Sequence, residues 1–158
     1  MKTNFLFPRK FKKMGWFLFI PGVLLGILYL ITQTEPSLLD LEVFAVAHQP
    51  LFDKTVLFAT TENNIFDEII GLLIIIGAIL IAFSKEKSED EFISKIRLES
   101  LVWATYVNYA ILILTIIFVY DLIFFWVLVF NMFTMLVFFI IRFNWALIKS
   151  KNQIKDEE

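Results

Sequence analysis

The chain has 158 residues, 59% of them hydrophobic, with 19 Phe, no Cys and a formal net charge of -2. A soluble domain of this size cannot bury so much apolar surface. The near-neutral charge gives no footprint for nucleic acid, and the lack of Cys removes disulfides and thiolate metal sites.

Lys2, Arg9, Lys10, Lys12 and Lys13 precede a first apolar run at about 14–32. Roughly 20 such residues cross a hydrocarbon core of about 30 Å. The run is long for a signal peptide, and Thr32-Gln33-Thr34-Glu35 is a poor cleavage site, so a retained span is expected. No lipidation motif is present. Phe5, Phe7, Phe11 and Trp16 suit the membrane interface. After Pro21, Gly22 and Gly26 form a GxxxG pair that lets a helix approach closely and leaves a homo-oligomer open.

An external loop, 33–64, follows. Its stretches 41–47 and 55–61 are rich in β-branched and aromatic residues, with turn formers between them. That favours a β-hairpin; the rival is an interfacial amphipathic helix beginning near Pro36-Ser37. His48 is the one histidine and reads as an ordinary turn residue, so no metal is expected. Glu62, Asp67 and Glu68 form an external acidic group at the start of the second run, 65–83. Adjacent carboxylates on a helix point in different directions, which argues against an acid/base pair. Gly71 and Gly77 thin this second helix for packing.

The loop 84–100 carries the most organised charge. Ser88-Glu89-Asp90-Glu91 fits a capping box, so a third helix is expected to start near Glu89. With Phe92 and Ile96 these residues form a cytoplasmic interaction surface, or a turn resting on headgroups. Runs at 101–120 and 122–141 share one charge, Asp121, and fold back there. The fold places Asn108 level with Asn131 and Glu99 level with Arg142. An amide pair would staple the two helices, and Glu99 would meet Arg142 as an ion pair at the cytoplasmic mouth. A tail, 142–158, completes the chain.

Thirteen of the fourteen Lys and Arg residues then fall on one side, with Lys54 the exception. Basic residues near span ends stay cytoplasmic. The expected fold class is an all-α membrane protein: one domain of four transmembrane helices, both termini cytoplasmic, with a small external hairpin.

The stretch Glu62 to Ile69, with Ser84 to Ser100, Asn131-Met132-Phe133 and Arg142-Phe143-Asn144, resembles an uncharacterised four-span integral membrane protein family of Bacteroidota. The resemblance implies a bacterial inner membrane setting and carries no activity. The charged motif opening the third helix is also distantly similar to a segment of small membrane proteins often encoded beside helix-turn-helix regulators.

No HExxH, GxSxG or P-loop is present, so neither an enzyme nor a cofactor is expected. The first functional reading is an interaction or regulatory component that meets a cytosolic protein through its charged helix start and tail. The alternative is an oligomeric channel or small transporter subunit with a polar level at Asn108 and Asn131. The lipid bilayer is the common partner.

Overall fold

The computed structural model describes residues 5–49, 54–87 and 89–156. A stripe of small residues sets its first pairing. Gly15, Gly22 and Gly26 follow an i, i+7, i+11 spacing and share one face of a helix. That helix, α1, runs Lys10–Thr32. Its partner, α2, runs Phe66–Ala82 antiparallel to it. A Cβ on Gly77 would lie 2.7 Å from the Phe19 nitrogen, and one on Gly15 would lie 2.9 Å from the Gly77 carbonyl oxygen. Only hydrogen on these carbons permits backbones this close. Gly22 meets Leu73 and Ile74, and Gly26 meets Ile70. The GxxxG face is thus occupied within the chain. Gly71 corrects the sequence reading: nothing lies within 4 Å of where its Cβ would be. It thins no contact.

Between the two helices the chain forms the hairpin. Strands β1, Asp40–His48, and β2, Val56–Asn64, pair antiparallel, with Asp40 opposite Asn64 and His48 opposite Val56. The β2 strand reaches three residues past its expected end because Asn64 anchors it. The Asn64 Nδ2 donates to the Pro36 carbonyl at 2.9 Å and to Asp40 Oδ1 at 2.6 Å. Its Oδ1 accepts from the Phe66 N–H and opens α2. The small external hairpin expected from the sequence is therefore present as a two-stranded antiparallel sheet.

Helix α3 runs Glu91–Phe118 and α4 runs Asp121–Asp156, with the turn at Val119-Tyr120. Both extend well beyond the expected spans; residues 142–156 continue α4 as helix rather than forming a separate tail.

The expected four spans reduce to three. Lys10–Thr32, Glu91–Phe118 and Asp121–Ser150 are long and apolar enough to cross a membrane. The α2 helix has 17 residues. At 1.5 Å per residue it rises about 25 Å, short of roughly 30 Å. Asn64 and the turn at Phe83 bound it at either end. About 11% of each span's most apolar window is buried inside the chain, so most of that surface suits lipid contact.

Packing is uneven along the helices. The core joins Ala78, Ile81 and Ala82 of α2 to Phe139, Ile140 and Phe143 of α4. Ile96 and Ala104 of α3 and Leu147 of α4 complete it. All of these lie toward the end that holds Ser84. Toward the hairpin, Leu24, Ile31, Phe118 and Leu122 are exposed. Two helical hairpins, α1–α2 and α3–α4, are therefore joined mainly through α2 and α4 at one end.

Gly77→Val is expected to destabilise by about 1–3 kcal/mol, because the clash is with backbone that cannot swing away. Gly71→Ala is expected to be neutral or to stabilise by up to about 1 kcal/mol, since helix propensity improves and space is free. Thermal melts of both variants in one detergent check the pair.

Candidate functional site

A charged junction occupies the tightly packed end. Residues before α1 are pinned to the turn after α2: the Phe7 N–H donates to the Phe83 carbonyl, and the Lys85 N–H donates to the Phe7 carbonyl, each at 2.9 Å. This brings Lys12 to Glu86 as an ion pair, with Asn144 Oδ1 of α4 at 3.4 Å from its Nζ. Beside it lies Arg97, 8% exposed. Its Nη1 donates to the carbonyls of Ala82, 3.0 Å, and Ser84, 3.3 Å. Its Nη2 donates to both oxygens of Glu89 at 2.9 and 3.1 Å. The Phe143 ring lies 4.8 Å from the guanidinium carbon, close enough for cation–π attraction. By sequence position alone Arg97 is one of the basic residues of the 84–100 loop. The available signal was its position: Ile93, Ile96, Arg97, Ser100 and Ala104 form one helical stripe, and a lone arginine in such a stripe requires buried acceptors.

The start of α3 differs from the expected capping box. Asp90 is the cap, its Oδ1 accepting from the Ile93 N–H at 2.8 Å. The helix begins at Glu91, two residues later than expected. Ser88 lies outside the described residues. Glu89 turns inward to Arg97 and also accepts from the Glu86 N–H. Ile96 is buried in the core and offers no docking surface. Glu91, Phe92, Lys95, Leu98 and Glu99 remain exposed.

Deeper in the α3–α4 pair, Asn131 Nδ2 donates to Asn108 Oδ1 at 3.2 Å, and Thr134 Oγ1 donates to the same oxygen at 2.7 Å. Asn108 is 4% exposed. The triad couples the two helices through one acceptor. Thr134, one turn beyond Asn131, was not singled out from sequence. Glu99 and Arg142 do not pair. The Arg142 guanidinium lies over Trp145 at 4.9 Å and over Trp103 at 5.8 Å. Equal depth did not supply the right angle around the helix, and Trp103, one turn along from Glu99, takes the position.

At the opposite end, Asp67 and Glu68 open α2. Burial, then the hydrogen bond shared with Glu68, push the Asp67 carboxyl up. The same bond holds Glu68 down. The Glu68 backbone N–H also donates to Asp67 Oδ1, at 3.1 Å. Asn63 Nδ2 donates to Glu68 Oε1 at 2.7 Å, and the Tyr29 hydroxyl donates to Glu35 Oε1 at 2.7 Å. Glu62 instead sits on β2 opposite Glu42. Among the described residues no three His, Asp or Glu side chains are grouped to hold a metal ion.

No family model, curated protein or solved structure matches the chain.

Arg97→Met is expected to cost roughly 3 kcal/mol, because Glu89 and two carbonyls lose their donor. That corresponds to a fall of roughly 6–12 °C in melting temperature; Lys95→Met, on the exposed face, is the control. Asn108→Leu strands two donors and is expected to cost about 0.6–2 kcal/mol. A double-mutant cycle with Thr134→Val measures the coupling.

Proposed function

We propose that this chain is a non-enzymatic integral protein of a bacterial inner membrane, acting as an interaction or regulatory component through its basic end. One observation carries the reading. Arg97, Glu89 and Ile96 fasten the inner face of the first turns of α3, while Phe92, Lys95, Leu98 and Glu99 stay exposed on the outer face. A fastened helix with a free mixed apolar and charged face loses little conformational freedom when a partner docks. One of the junction's ion pairs joins Arg97 to Glu89, and Lys95 and Glu99 lie outside it on the exposed face.

Charge supports the orientation. Lys10, Lys12, Lys13, Lys85, Lys95 and Lys149 gather toward the Phe7–Ser84 pairing, whereas Lys54 lies in the hairpin segment. Basic residues flanking spans stay in the cytoplasm. Although α2 is shorter than a full span, it runs back antiparallel beside α1, so this orientation puts both α1's start and α4's end in the cytoplasm, where a soluble protein can reach them.

The test is site-specific photo-crosslinking from position 92 in the native membrane, repeated in Lys95→Glu/Glu99→Lys. The expected result is a discrete cytosolic adduct that falls roughly tenfold in the charge-swapped variant, equivalent to about 1.4 kcal/mol, with an unchanged melting temperature. Lipid adducts alone, or equal protein adducts in both forms, would defeat the reading.

A further inference from the structure

The two helical hairpins meet at the basic end and part toward the β-hairpin. Between α1, α2 and α4 the gap forms a cleft of about 650 Å³, within the range of small-molecule sites. Val23 and Leu30, Asp67 and Ile75, and Trp126 and Val137 mark its ends on the three helices. At 1.5 Å per residue these stretches measure about 10–16 Å. Half of a hydrocarbon core is about 15 Å, so the cleft is one leaflet deep.

The lining limits what can fill it. Its walls are almost wholly apolar. A slender alkyl chain fits, and water gains nothing from apolar walls. The mouth determines the head group. Among the described residues Tyr29, Asp67 and Glu68 carry oxygen groups at the cleft and no basic residue lines it, and Glu35 is tied to Tyr29. Carboxylates accept hydrogen bonds and attract cations. A primary ammonium supplies both charge and N–H donors; a quaternary ammonium supplies charge alone, and an anionic head is repelled.

We propose that this cleft binds a membrane lipid with a primary ammonium head group, one acyl chain lying between α2 and α4 and the ammonium at Asp67 and Glu68. The lipid comes from the leaflet on the β-hairpin side. It fills the gap that the uneven packing leaves, so it props the hairpins at a set separation.

The full chain in phosphatidylcholine nanodiscs tests this, with a trace of phosphatidylethanolamine, phosphatidylglycerol or phosphatidylcholine carrying the same photoactivatable acyl chain. Adducts are mapped by mass spectrometry. The expected result is labelling between Trp126 and Val137, with phosphatidylethanolamine exceeding both other lipids roughly tenfold. Asp67→Asn/Glu68→Gln is expected to erase that preference. Gly71→Leu is expected to abolish labelling in the cleft without lowering the melting temperature, because its side chain enters free space. Equal labelling by the three lipids overturns the proposal. So does unchanged labelling in Gly71→Leu, or a protein–protein adduct in place of lipid. Were Gly71→Leu to melt early, the head-group comparison and the carboxylate variant would still decide.

Discussion

A guanidinium held against the end of a helix organises this protein. The last carbonyls of α2 have no partners within their own helix. Arg97 of α3 reaches the Ala82 and Ser84 carbonyls and places positive charge at the negative end of the α2 dipole. Glu89 balances that charge with two hydrogen bonds, and Phe143 of α4 covers its face. One side chain therefore touches elements from both helical hairpins. The ion pair of Lys12 with Glu86 and the Phe7–Ser84 pairing add the start of α1 to the same point.

The lengthwise asymmetry follows from this junction. Phe139 stacks between Phe83 and Phe143 with ring centroids 5.8 and 5.6 Å away, so the best-packed apolar contacts adjoin the charged contacts. Further toward the hairpin, α1–α2 is held by glycine-mediated backbone contact and α3–α4 by the Asn108 triad. Each of those devices binds a helix to its own hairpin partner. Neither bridges the two pairs, so the pairs part and a cleft opens. The molecule thereby has two chemically distinct ends: a basic, fastened one and an acidic one with open apolar walls.

Helix length divides the polar residues between these ends. The α2 helix stops where Phe83 turns, leaving the Arg97 site directly beneath its last carbonyls. By contrast α4, at 36 residues, continues past Arg142 and carries that arginine between Trp103 and Trp145. Tryptophan stacked on arginine suits a membrane boundary, where one face is apolar and the other meets water.

Several features were legible in the sequence because they depend on local chemistry. Uninterrupted apolar runs marked the membrane class. Alternating β-branched and aromatic residues favoured the hairpin, and Asp121 located the return between α3 and α4. The shared depth of Asn108 and Asn131 also followed from counting along two antiparallel helices. Rotation about the helix axis did not follow, because it depends on which face the partner presents. That is why Arg142 faces tryptophans instead of Glu99, why Ile96 is buried, and why Gly71 opens onto space while Gly15 carries a backbone contact. Helix limits were equally hidden: Asn64 and the Phe83 turn hold α2 at 17 residues, and Asp90 takes the cap of α3. By itself the sequence determined that the chain seeks a membrane and which residues are polar within it. Only the tertiary structure decided which of them meet, since a buried arginine selects its acceptors by distance and angle, neither of which composition encodes.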